Sequence, residues 1–164
     1  MTGINDRLLM SYIKDLLNAS LVDPRTSWGG ASRNFVHTDK PLSTCKFPRI
    51  QINKRPRSDT ILSLGYDFWE WRTIVLDIYF WTKTSFKWNV STSSTTNYIN
   101  NEDLAKEYNE KIWKVIKDNG QTLHDSYGIT GFKIVEDDTP ESDSEEQFYR
   151  SRLSLRFWYF KKDI

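Results

Sequence analysis

The clearest pattern in the chain is a strict alternation between Thr73 and Trp81. Ile74, Leu76, Ile78 and Phe80 fall on one parity, while Thr73, Val75, Asp77, Tyr79 and Trp81 fall on the other. Successive strand residues point to opposite faces. The first set therefore predicts a core face, and the second leaves Tyr79 and Trp81 as aromatic area to be explained. The same double pattern returns from about Gln147 to Phe160. There Leu153, Leu155, Phe157 and Tyr159 oppose Arg152, Ser154, Arg156, Trp158 and Phe160. A shorter alternation, Ile50 and Ile52 between Arg49 and Gln51, predicts a strand after the proline of "FPRIQI". The chain is strand-like from Ile61 to Lys87, with "GYD" at 65–67 as a break or bulge, and "GFKIVED" reads as a further strand.

Two segments carry a helical period instead. Ile4, Leu8, Tyr12, Ile13, Leu16 and Leu17 form one stripe, with Thr2 or Asn5 as the cap and an end before Asp23-Pro24. Leu104, Tyr108, Ile112, Val115 and Ile116 form the second, capped by Asn101 and stopped at Asn119-Gly120. The polar stretch "STSSTTN" reads as a connector. Residues 25–46 read as a long loop or arm, and residues 136–146 as an acidic hairpin loop. The prediction is a single α+β domain over residues 1–164. It has a mainly antiparallel sheet with two helices on one face, in the order α-β-β-α-β-β.

With 164 residues the chain fits one domain with a real core. Apolar residues are 38% and aromatics 15% of it, so hydrophobic area is concentrated in few large side chains. The formal net charge of +1 gives no overall drive toward nucleic acid or membranes. The charge is uneven, however. Lys46, Arg49, Lys54, Arg55 and Arg57 form a run without acids, whereas Glu136, Asp137, Asp138, Glu141, Asp143, Glu145 and Glu146 form one without bases. A lone cysteine, Cys45, allows no intrachain disulfide. The first residues lack the apolar segment of a secretory leader, and no apolar run nears the ~18 residues of a membrane span. The expectation is a soluble intracellular protein, or a part of something assembled inside a cell.

Candidate chemistry is sparse. His37, His124 and Cys45 are not clustered in sequence, and zinc, P-loop and dinucleotide signatures are missing. A metal-dependent nuclease is the strongest enzymatic alternative, through Asp67, Glu70 and Asp77. Yet no lysine stands two residues after an acid, which is the most specific part of that pattern. No cofactor, metal ligand or catalytic residue is predicted. The basic run at 46–57 could touch phosphates, which keeps a small nucleic-acid-binding module open as a further reading.

Leaving Trp81, Trp158 and Phe160 in water forgoes about 1.5–3 kcal/mol each. Patches of that kind mark contact surfaces, so Tyr79, Trp81, Trp158 and Phe160, with Asp77 beside them, are candidate subunit contacts. Alternatively, residues 25–46 fold over this face.

The element order, the "FPRIQI" strand and the terminal "RSRLSLRFWYF" resemble the tail-completion, tail-terminator and head–tail joining proteins of tailed viruses. That resemblance implies a non-enzymatic virion protein, made in the host cytoplasm, that forms a homo-oligomeric ring, usually a hexamer. The ring would join the tail tube to neck or connector proteins and face passing DNA transiently and without sequence preference. Under that reading Lys54, Arg55 and Arg57 would meet Asp137, Asp138 and Glu141 of a neighbouring subunit, or the lumen.

Overall fold

A computed structural model describes residues 6–24, 34–38, 47–56, 58–63, 68–83, 88–92, 95–143 and 148–163. Eleven elements run in the order α1 (Asp6–Ser20), β1 (Val36–His37), β2 (Arg49–Lys54), β3 (Ser58–Ser63), β4 (Phe68–Lys83), β5 (Trp88–Thr92), β6 (Thr95–Ile99), α2 (Asn101–Asp118), α3 (Gly120–Tyr127), β7 (Ile129–Asp143) and β8 (Phe148–Asp163). The architecture is mixed α and β, as the two periodicities require. The predicted order of two helices and four strands is not what forms.

The main sheet has the order β1-β2-β4-β8-β7, with β3 pairing the first half of β4 beside β2. It is mixed rather than purely antiparallel, because β1 runs parallel to β2 through Val36↔Ile50 and His37↔Gln51. The long β4 lies at its centre, antiparallel to β8 from Phe68↔Asp163 to Lys83↔Phe148. Strands β5 and β6 form a separate hairpin where the polar connector was expected. Threonine suits strands, but with no apolar alternation this pair left no period-two signal.

The apolar parity of each long strand meets the helices. Ile50 and Ile52 of β2, Ile74, Leu76, Ile78 and Phe80 of β4, and Leu153, Leu155, Phe157 and Tyr159 of β8 are all buried. Leu9, Ile13 and Leu17 of α1 pack with them, as do Leu104, Ala105, Tyr108, Ile112 and Ile116 of α2. The Tyr108 ring stacks on Phe80 at 4.8 Å and meets Phe35 edge-on at 6.3 Å. Its hydroxyl donates to the Val22 carbonyl, and burial pushes its pKa up. Phe35 and Val36 are buried too, and Asn18 brackets Val36 through both backbone groups. The described part of the expected arm is thus built into the helix-covered core.

A polar seam sits under α2. Thr82 donates to Asn101 at 3.0 Å, Ser151 donates to Asn109 at 3.2 Å, and Asn109 donates to Asp137 at 3.1 Å. These partners satisfy groups that burial would otherwise penalise. The N-cap of α2 is Asn100, which accepts from the Asp103 amide at 2.8 Å, one residue before the expected cap. Asn119-Gly120 ends α2 as expected, with Asn119 as the C-cap, and the chain then turns directly into α3. The left-handed stop is Gly128, at φ 64°, a conformation that glycine adopts without steric cost.

The acidic stretch is strand as far as Asp143, not a loop. Register shifts between Ile134 and Glu136 and between Asp138 and Glu141 break the pairing of β7 with β8. Such bulges re-aim side chains.

Candidate functional site

Among the described residues, no helix packs on the second face of the sheet. Its parity carries Thr73, Val75, Asp77, Tyr79 and Trp81 of β4 against Trp158, Arg156, Ser154, Arg152 and Arg150 of β8. Arg49, Gln51 and Asn53 of β2 lie beside Trp81, Tyr79 and Asp77. On the far side, Gly131, Lys133, Glu136 and Asp138 of β7 oppose Trp158, Arg156, Ser154 and Arg152. The face divides into an aromatic–arginine end, an ionic centre and a basic–aromatic end.

Arg55 organises the centre. Its backbone N–H donates to the Val75 carbonyl at 2.9 Å, carrying the side chain from the end of β2 across β4. Nε donates to Asp77 at 2.8 Å, and the two terminal nitrogens grip Glu136 at 3.2 and 2.7 Å. Nη2 also donates to the Ser154 hydroxyl at 3.1 Å, and that hydroxyl donates to the other oxygen of Asp77. Arg152 extends the cluster, reaching Glu136 at 2.9 Å and Asp138 at 2.6 Å. The planar guanidinium fork is the group that can bind two carboxylates in one plane.

The protonation states are fixed accordingly. The hydrogen bonds that Arg55 donates to Glu136 and then to Asp77 hold its pKa above its usual range against some desolvation. Burial works against the charge of Arg152. The hydrogen bond and charge of Asp138, the charge of Glu136 and a bond to Tyr79 outweigh it, and its pKa is raised. The hydrogen bond from Arg55 holds Glu136 below the ordinary glutamate range. A depressed carboxylate stabilises the fold above its unfolded value and loses that effect as pH falls. Urea midpoints should therefore hold steady down to about pH 5 and drop below about pH 4.3, the ordinary glutamate value. In Glu136→Gln the drop should be shallower, and an equally steep one would remove Glu136 as its source.

Several of the expected contact residues have partners within the chain. Asp77, on the outward parity of β4, is 7% exposed and bound by Arg55 and Ser154 of its own chain. Arg55 is likewise committed within its chain. Lys54 pairs with Asp6 at the start of α1, where Tyr159 also donates at 3.2 Å. Asp138 pairs with Arg152, while Asp137 turns to the helix side and accepts from Asn109. Arg57 and the side chains of Glu141 and Phe160 lie outside the described residues.

At the aromatic–arginine end, Trp81 is half-buried between Arg49 and Arg150, each 5.7 Å from its ring centre, with Tyr79 at 6.1 Å. Its indole N–H is buried without an acceptor. Phe47 stacks on Phe148 at 4.7 Å, and Arg49 and Lys83 lie over it at 4.6 and 5.6 Å. At the opposite end Trp158 is half-buried over Gly131, where an added Cβ would sit 3.3 Å from the indole, and Lys133 lies 5.8 Å from the ring centre.

Sequence reasoning brought out Tyr79, Trp81 and Trp158 but missed Glu136, Arg152 and Ser154. Their signal was available: arginines on one parity of β8 and acids two apart in β7 are cross-strand partners once both segments are read as strands. Among the described residues no group of three or more histidine, cysteine or acidic side chains is placed to hold a metal. No protein-family profile and no curated protein matches the sequence. Among the described residues no helix is long and apolar enough to cross a membrane.

Proposed function

We propose that the protein is a structural assembly component that works as a homo-oligomeric ring. The best fit is a tail-completion or neck protein of a tailed virus, seated between tail tube and connector in the virion. The observation that carries this reading is the second sheet face. It combines half-buried Tyr79 and Trp81 with arginines and, among the described residues, has no helix over it. Aromatics and arginine are the residue types enriched at interface cores. The buried, unmatched indole N–H of Trp81 is a donor that a neighbouring backbone carbonyl could satisfy.

The reading rests on this aromatic surface and no longer on a basic loop meeting an acidic one, since Lys54, Arg55 and Asp138 are paired within the chain. A catalytic role has no comparable support, because the carboxylates at the centre of the face are taken up by arginine. Light scattering on the purified chain should give a multiple of the 19.4 kDa subunit mass. Trp81→Glu should reduce it to the single-subunit value with the circular dichroism unchanged. A particle mass unaffected by Trp81→Glu would sink the proposal.

A further inference from the structure

The basic–aromatic end of the face poses a separate problem. Lys133 and Arg156 are directly paired across β7 and β8 on the same face. Like charges so placed destabilise a sheet. Among the described residues neither has a carboxylate partner, although the ion pairs of their neighbours are well formed. The nearest acids cannot relieve them: Glu136 is held by Arg55 and Arg152, and Asp77 by Arg55 and Ser154. The Nε of Arg156 is buried without an acceptor, so this cation is held against the sheet rather than turned out into solvent. Among the described residues the arrangement lacks an anion.

The type of anion follows from what lies beside it. Trp158 is two residues along β8 on the same face, a distance of about 7 Å at the usual strand rise. Its indole is seated on the bare backbone of Gly131, so the ring is held in place by the strand beneath it. Trp71 continues the same parity on β4 and is half-buried. Two cations without a carboxylate partner among the described residues, one of them over the ring of a strand-supported Trp158, fit a chain of alternating phosphates and flat bases. Stacking on rings while cations follow the backbone is how single strands are held without sequence preference.

We propose that Lys133, Arg156 and Trp158 form a binding site for single-stranded nucleic acid. The cations bind adjacent phosphates and the indole stacks a base. A duplex offers the phosphates but hides its base faces, so it binds this site less well. The site lies at the opposite end of the face from Trp81, and it does not rest on the assembly proposal.

The test is fluorescence anisotropy of a labelled single strand and its duplex, titrated with the full chain over a salt series. Lys133→Gln with Arg156→Gln should weaken single-strand binding about tenfold and lower the slope of log affinity against log salt by about 1.4, as expected for two lost phosphate contacts. Trp158→Ala should weaken single-strand binding by about 5- to 150-fold while leaving the salt slope in place. Lys133 is exposed and Arg156 gives up no hydrogen bond at its buried Nε, so the first variant should keep the wild-type circular dichroism even if Trp158→Ala disturbs β8. An unchanged slope and an affinity within about twofold in the double variant would overturn the proposal. So would a duplex bound as tightly as the single strand. Particle mass read on the same samples separates the two proposals: loss of binding at constant mass leaves the ring reading untouched.

Discussion

Arg55→Ala is expected to destabilise the protein by about 3 kcal/mol, a large share of the roughly 5–15 kcal/mol that holds a domain folded. The reason is what the substitution leaves behind. Asp77 lies on the central strand at 7% exposure, and without the guanidinium its carboxylate keeps only the Ser154 hydroxyl. A buried charge stripped of its counter-charge costs far more than the pair contributed. Glu136, two strands away, loses its bidentate partner but remains half-exposed and keeps Arg152. Its share of the loss is therefore the smaller one. The double variant Arg55→Ala with Asp77→Asn should recover much of the stability, because the stranded charge is gone. Denaturant midpoints of the wild type, both single variants and the double variant form a cycle that measures this coupling. If the double variant is no more stable than Arg55→Ala, the stranded-charge account is wrong. The same logic rules out Arg55 as a probe of assembly, since reversing its charge would place a third carboxylate beside Asp77 and Glu136 and damage the subunit itself.

The second large effect contrasts two neighbours in sequence. Phe80→Ala should cost about 4 kcal/mol and lower the melting temperature by roughly 8–16 °C in a domain of this size. Phe80 is fully buried, stacked on Tyr108 and paired across the sheet with Ile50 and Ser151. Its loss opens a cavity lined by rigid strand and helix atoms that cannot collapse to fill it. Trp81→Ala, one residue on, removes a larger side chain yet should cost only about 1 kcal/mol in the isolated subunit, chiefly its contacts with two arginines. Thermal melts of the two variants at matched concentration check the prediction. Comparable losses would mean that Trp81 is a core residue, and the proposal of a contact surface on the second sheet face would lose its support.

That contrast also shows how much was legible beforehand. The alternation at 74–80 and 153–159 placed eight core residues on the correct parity because a strand with one covered face has to alternate. The stripe of α2 was equally plain, whereas that of α1 was read one residue off at its start, since Leu9 is buried and Leu8 is 60% exposed. The acidic half of β7 was hidden because Asp and Glu disfavour strands on local grounds. What overrides that preference is Arg152 on the facing strand and Arg55 reaching over from the end of β2, a match that no local window contains. The stop of α2 at Asn119-Gly120 was legible, but α3 was not, because its eight residues bury Leu123 alone and so show no apolar stripe. The central site was half visible. Its aromatics stood out as excess area, whereas its carboxylates looked like free surface charge until the bulge after Ile134 turned Glu136 and Asp138 toward Arg55 and Arg152.

The central position of β4 has a consequence for how the chain is made. Its longest partner is β8, so Ile78 waits for Leu153 and Ile74 for Phe157. The ribosome produces the middle of the sheet well before the strand that closes it. Until then one side of β4 is an unpaired hydrophobic template of the kind that recruits other chains. Folding should accordingly be slow for a chain of this length, since its key contacts are far apart in sequence. A nascent chain stalled just before Phe148 would be the most aggregation-prone species on the route.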